Sequence, residues 1–245
     1  MAGSVTLKTD DWTPKVALGV AAHPDDLDFG MAGTIARWAS KGCEIYYLIL
    51  TNGNKGSSDP DCDPAELIRC RQEEQRAAAQ KLGVKDVYFH DYEDGMLEVT
   101  MDLKRDIVRA IRRVRPEAVL TMDPGMLYCA ERDFVNHPDH RAAGQATLDA
   151  VFPLARDHLS FPEIARDEGL APHKTATVLL FNMERSNYAV DVSEHIGQKM
   201  DALAAHVSQM QDLQLVQDRL KSYASDAGEA IGADYAELFQ RIDIR

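Results

Sequence analysis

Short apolar runs alternate with segments of helical spacing through the first half of the chain, and that rhythm admits few folds. Val16 to Ala22 and Glu44 to Thr51 read as buried strands, with Gly30 to Ser40 between them as a helix closed by Gly42. Asp63-Pro64-Ala65-Glu66 has the chemistry of a helix start: an aspartate to cap, a proline at the first position and a glutamate to bond backwards. The pattern predicts that this helix runs to Leu82 and stops at Gly83. Asp86 to His90 and Ala118 to Met122 read as further strands, flanking a basic-faced helix from Met101 to Val114 that ends before Pro116. Beyond Asp139 the pattern predicts a helix to about Asp157, then an irregular stretch with Pro162 and Pro172. A strand from Thr177 to Asn182 follows, and then two late helices, Glu194 to Tyr223 and Ala233 to Arg241.

The order strand, helix, strand, helix implies an α/β fold: a single Rossmann-like doubly wound domain over residues 1–245 with a mostly parallel sheet. Neither an internal repeat nor a linker divides it. Right-handed crossovers in such a sheet place the first and fourth strands side by side at the switch point, and ligands bind beyond the strand C-termini there. The active site is therefore expected at the C-terminal ends of the strands.

Forty acidic residues against 27 basic ones give a formal charge of −13, the wrong sign for a partner whose surface is phosphate, so no nucleic acid is expected. The N-terminal stretch lacks a basic segment followed by an apolar one, and no apolar run is long enough for a membrane span. A cytoplasmic location is the resulting default. Cys43, Cys62, Cys70 and Cys129 form no Cys-x-x-Cys pair and read as reduced thiols rather than a disulfide framework or a Cys-rich metal site.

Ala22-His23-Pro24-Asp25-Asp26 stands at the end of the first strand and Asn136-His137-Pro138-Asp139-His140 in the loop after the fourth. Each tripeptide alone reads as a turn in which proline fixes φ and aspartate caps the next helix. Two such motifs at neighbouring strand ends open onto one crevice instead. His23, Asp26 and His140 then offer two imidazoles and a carboxylate, a set that suits one Zn²⁺ per chain with a position left for water. Asp25 is the candidate general base, His137 a charged donor to an oxyanion or leaving amine, and Asp139 the residue to orient and charge-stabilise His137.

These residues also resemble a known family, the LmbE-like, PIG-L-type de-N-acetylases, which includes amino-sugar deacetylases of mycothiol and bacillithiol synthesis and chitobiose deacetylases. The resemblance covers most of the chain. It is carried by Ala22-His23-Pro24-Asp25-Asp26 with Gly33-Thr34, by Thr51-Asn52-Gly53, by Arg71 and Glu74 before Leu82-Gly83, by Asp94-Gly95, by Arg115-Pro116 and by His137-Pro138-Asp139-His140-Arg141. It implies zinc-dependent hydrolysis of an N-acyl, typically N-acetyl, amide on an amino sugar or small glycoside. It also implies His23, Asp26 and His140 as ligands, Asp25 as base and His137 as electrophilic or acid group. Many members carry glutamate directly after the paired aspartates; here Leu27 and then Asp28 follow.

From spacing alone, Arg71 and Glu74 form an exposed ion pair on a helix, and Asp94-Gly95 is a turn. The resemblance implies instead that Arg71 and Asp94 bind substrate. Lys199, His206, Ser208 and Gln209 match a late family element to which no role attaches. The partner implied is a small amino-sugar substrate, and a homo-oligomer stays open. The readings weighed against this one are a thiol-conjugate amidase with the same zinc centre, a metal-containing protein without turnover, and a nucleotide-binding Rossmann domain. The last lacks a Gly-x-Gly-x-x-Gly after the first strand and crowds carboxylates where pyrophosphate would sit.

Overall fold

The structure, a computed structural model, describes residues 7–130, 133–181 and 185–244. Its first half follows the local signals closely: β1 (Val16–Ala21), α1 (Asp26–Ser40), β2 (Glu44–Thr51), α2 (Pro64–Leu82), β3 (Asp86–Tyr92), α3 (Met101–Val114) and β4 (Ala118–Met122). The Asp63 carboxylate accepts from the Ala65 amide at 2.9 Å, and Gly83 closes α2 in the left-handed conformation at φ 77°. The Thr100 hydroxyl caps α3 in the same way, accepting from the Leu103 amide at 3.1 Å.

A two-stranded hairpin, β5 (Tyr128–Cys129) with β6 (Phe134–Val135), precedes α4 (Pro138–Asp149). The helix expected to reach Asp157 ends at Asp149 in a π-helical turn, Ala150–Leu154, and the proline-rich stretch after it contains the short helix α5 (Pro162–Glu168). Then come β7 (Thr177–Phe181), β8 (Tyr188–Asp191), α6 (Ile196–Leu203), α7 (Leu213–Glu229) and β9 (Ala236–Asp243). Asn182, at the end of the expected strand, lies outside the described residues.

Seven strands form one sheet in the order β3-β2-β1-β4-β7-β9-β8. The five from β3 to β7 are parallel; β9 runs antiparallel to both β7 and β8. β1 lies directly beside β4, with Ala17 to Gly19 paired to Ala118 to Leu120, so the chain past both strands reaches the same end of the sheet.

Alternation along β1 divides the core. Ala17 and Ala21 join one cluster with Leu27, Ile35 and Trp38 of α1 and Leu82 of α2. Leu18 and Val20 join the other, with Leu103, Ile107 and Ile111 of α3 and Ala143 and Ala146 of α4. Both faces of the sheet are therefore covered by helices, as a parallel sheet requires.

Two late expectations are corrected. Ala233 to Arg241 is not a helix: its chain is β9, whose register is fixed by pairing Phe181 with Phe239 on one side and Tyr188 with Phe239 on the other. Those partners are remote in sequence, and such non-local pairing overrides a local helical pattern. The single helix from Glu194 to Tyr223 is broken between α6 and α7, where Ser208 and Gln209 bond to α2 and to the Asn52–Cys62 loop rather than continuing the helix. No helix among the described residues is long and apolar enough to cross a membrane.

Candidate active site

At the end of β1 the Ala22 carbonyl still accepts from the Thr51 amide at 2.7 Å, and the chain then turns sharply into α1. Asp25, the residue before that helix, has φ 103°, a left-handed value costly for a residue with a Cβ. Its neighbours hold it there. The Asp25 amide donates to Gln75 Oε1 at 2.8 Å, Arg71 donates to the Pro24 carbonyl at 2.9 Å, and the His23 amide donates to Asp26 Oδ2 at 2.8 Å.

The second motif arrives on α4. A Cβ on Gly144 would stand 2.3 Å from the Met122 carbonyl oxygen, so only glycine lets this helix approach the end of β4 so closely. That approach brings the helix start over the end of β1. The ring centroids of His137 and His140 lie 4.8 and 5.3 Å from that of His23.

Hydrogen bonds around the rings decide which nitrogen of each faces Asp26. Asn136 donates through Nδ2 to the Met126 carbonyl at 2.7 Å, so its Oδ1, 3.1 Å from His140 Nδ1, accepts the ring proton there. His140 Nε2 then faces Asp26 Oδ1 at 3.0 Å. His23 is arranged the same way with opposite atoms: Nε2 meets Asp94 Oδ1 at 3.1 Å and Asp139 Oδ2 at 3.2 Å, while Nδ1 stands 3.4 Å from Asp26 Oδ2. Two imidazole nitrogens thus converge on one carboxylate, each ring oriented from behind by an acceptor, the usual outer support of a metal-binding histidine. The three histidines also form a group whose potential ligand atoms lie within 4.8 Å of one another, as do His23, Asp94 and Asp139.

The buried charges shape the electrostatics. Burial disfavours ionised Asp26, yet the adjacent His140 and His23 hold its carboxyl well below the usual range. Burial and the charge of Asp26 push Asp25 up to about 7, against the pull of Arg71. His23 is raised to about 12: burial opposes its charge, but Asp26, Asp139 and Asp94 together outweigh that. His137 is lowered by burial and by the charge of His23. Four buried carboxylates, Asp25, Asp26, Asp94 and Asp139, surround this cluster, a concentration of negative charge that calls for a cation.

Several expected contacts differ. The Asp139 carboxylate does not close on His137, which it approaches only at 4.0 Å; it accepts from the Gly95 and Leu97 amides at 2.7 and 3.2 Å and faces His23. His137 Nδ1 accepts from the Asp139 amide at 3.2 Å, so the ring can donate only through Nε2 when neutral, and its side chain is 40% exposed. Arg71 and Glu74 are not an exposed pair. Arg71 is buried and donates to the Gly53 and Pro24 carbonyls and to Asp25, whereas Glu74 accepts from the Ser208 amide and hydroxyl at 2.7 Å each. Asp94 accepts from the Lys55 amide at 3.3 Å as well as facing His23.

Some contributors escaped sequence reasoning. Asn136 opens the second motif without a role being read for it, yet it lies four residues from His140, a spacing that could have revealed its contact with that ring. Gln75 lies one turn beyond Arg71 on α2, and its Nε2 donates to Asp28 Oδ2 at 2.8 Å. His206 Nε2 is bonded to that same oxygen at 2.7 Å. This buried network sets the orientation of the Gln75 amide that meets Asp25, and it gives the late His206-Ser208-Gln209 element a physical place in the site.

Comparison with known proteins identifies the family. The PIG-L family model, described as GlcNAc-PI de-N-acetylase, matches residues 18–151, a span holding both histidine motifs. Diacetylchitobiose deacetylase of Thermococcus kodakarensis is 34% identical over 228 residues, 91% of this chain and 81% of that protein. A probable N-acetyl-alpha-D-glucosaminyl L-malate deacetylase 2 of Bacillus anthracis is 29% identical over 199 residues, 78% of this chain and 79% of its own. Among solved structures, N,N'-diacetylchitobiose deacetylase from Pyrococcus horikoshii, complexed with its inhibitor MPG, superposes with a TM-score of 0.86 at 30% identity, covering 94% of this chain and 84% of that one. With the matched span carrying every residue of the strand-end cluster, the chain belongs to the PIG-L family.

Proposed function

We propose that this protein is a metal-dependent amide hydrolase that removes the acyl group from the nitrogen of an amino sugar, with N-acetylglucosamine-type glycosides as its substrate class. One observation carries the reading: His23 Nδ1 and His140 Nε2 converge on Asp26 while Asp25 stands beside them with its carboxyl raised to about 7. The named activities of the Thermococcus and Bacillus relatives support it.

The donor set fits a metal. His23, Asp26 and His140 would hold it, and two nitrogens with one carboxylate favour zinc over magnesium or calcium, which prefer all-oxygen sites. Such a cation supplies Lewis-acid polarisation of the amide carbonyl and lowers the pKa of a water. The chain's own residues do the rest. Asp25 accepts the proton of the attacking water and returns it to the departing nitrogen, and His137 donates from Nε2 to the oxygen that becomes negative. Arg71 and Gln75 fix the strained turn that presents Asp25. Asp139 and Asp94 orient His23.

Release of free amine, measured across N-acetylglucosamine, diacetylchitobiose and malate- and inositol-linked N-acetylglucosamine, tests the reading; no release from any of them with metal-replete protein overturns it. His137→Ala is expected to keep the metal and lower kcat by roughly 10²-fold with a smaller change in KM, because a donor to developing charge acts chiefly in the transition state. Loss of metal in that variant would make His137 a ligand. Asp139→Asn is expected to weaken metal affinity about 10- to 100-fold, as losing the carboxylate behind a ligating imidazole does; competition with a chelator reads this directly, and an unchanged affinity would free Asp139 of that role.

The pH dependence follows from Asp25. A base works only when deprotonated, so kcat/KM falls as pH drops through its pKa. With the negative charge of Asp26 offset by a bound cation, less would hold Asp25 up, and the acid limb is expected at or below about pH 7. An acid limb centred above pH 8 would remove Asp25 as the base.

A further inference from the structure

A cavity of about 500 Å³ adjoins the reacting cluster, with Asp25, Asp26 and His140 in its wall. The rest of the wall is largely apolar: Phe29 on α1, Met122 and Phe181 at the ends of β4 and β7, and Leu220, Ala224 and Ala227 on α7. β9 contributes Ala236 to Leu238, which reach this end of the sheet because that strand runs antiparallel to β7. None of His23, Arg71, Asp94 and His137 belongs to this wall.

The two charged groups buried in the wall away from the cluster already have partners. Lys199 donates to Glu237 at 2.6 Å, and Glu237 also accepts from the Gly33 and Thr34 amides at 3.0 and 2.7 Å. The other polar side chains of the wall are Arg219, which is exposed, and the half-buried Tyr223; away from these two a sugar ring would lose water from its hydroxyls without replacing those hydrogen bonds, which is unfavourable. An aliphatic chain would lose nothing. The volume is that of a small-molecule site and far exceeds what an acetyl methyl group needs.

Connectivity selects which part of the substrate enters. An acyl chain is bonded directly to the carbonyl carbon under attack, so it starts at the cluster, where this cavity starts. A glycosidic substituent is separated from the amide by the sugar ring, and could reach the cavity only by placing that ring against apolar walls.

We propose that this cavity is an acyl subsite for a linear aliphatic chain, so that within the amino-sugar substrate class N-acyl groups longer than acetyl are hydrolysed in preference to acetyl. The inference rests on the hydrolase reading above. The reaction balances as simple hydrolysis: water adds across the C–N bond, giving a fatty carboxylic acid and the free amine, with no other reactant.

The test is kcat/KM for N-acetyl-, N-butyryl-, N-hexanoyl- and N-octanoylglucosamine, alongside octyl N-acetylglucosaminide. Each methylene moved from water into an apolar wall is worth roughly fourfold, and a rise of at least tenfold from acetyl to hexanoyl is expected. Ala227→Phe, which fills part of the cavity, is expected to lower the octanoyl-to-acetyl ratio by tenfold or more; the series on the parent protein stands even if that variant does not fold. A flat series or a preference for acetyl overturns the acyl subsite while leaving the hydrolase reading intact. A gain from the octyl aglycone without one from the N-acyl series makes the cavity an aglycone site and overturns the proposal too. Amine release from no member of the panel overturns both.

Discussion

Asp25→Asn is expected to keep its metal and its fold and to lose roughly 10²- to 10⁴-fold in kcat, the range that a positioned base contributes. Asparagine tolerates the φ of 103° at this position better than most residues, and its carbonyl oxygen can still accept from Arg71, which reaches Asp25 Oδ2 at 3.4 Å. The amide oxygen cannot take a proton from water at neutral pH. Metal content and turnover should therefore separate, read by elemental analysis and amine release on the same preparation. Near-parental kcat in a metal-replete variant would mean that another group is the base.

His140→Ala is expected to reduce metal from about one ion per chain to a trace and amine release to the detection limit. It removes Nε2, which faces Asp26 at 3.0 Å, and it does so on the first turn of α4, where alanine is well tolerated. His23→Ala should lose metal equally but at a larger cost in stability. It removes the positive partner shared by Asp26, Asp94 and Asp139, leaving buried carboxylates without compensation. Comparing the two variants by metal analysis and thermal unfolding separates ligand loss from destabilisation. If both bind metal as the parent does, His23 and His140 are not the ligands, and the site must be redrawn around the remaining residues.

The first half of the fold was legible because its signals are local. Asp63, Pro64 and Gly83 bound α2 through bonds within a turn of each end, and apolar runs between such helices have few options but a parallel sheet. The second half was less so. Ala233 to Arg241 has helical spacing, and only its pairing with β7 and β8, contributed from far along the chain, makes it strand β9. The break between α6 and α7 has the same origin, since Glu74 on α2 captures Ser208.

In the site, the groups that the fold gathers at the strand ends could be read from two short motifs, because His, Pro and Asp at strand ends have limited chemistry and the family resemblance repeats them. Their pairings could not. Asp139 was expected on His137 and lies against His23; Arg71 was expected at the substrate and holds the backbone of the Asp25 turn. Which nitrogen of each imidazole faces Asp26 depends on acceptors from other elements, Asn136 before α4 and Asp94 after β3. By itself, then, the sequence determined the layered α/β architecture and the set of chemical groups at the strand ends, since both follow from side-chain type and short-range spacing. Only the tertiary structure decided which carboxylate orients which ring and what walls the cavity beside them, because those contacts join residues remote in sequence through the packing of α1, α2, α4 and α7 around one end of the sheet.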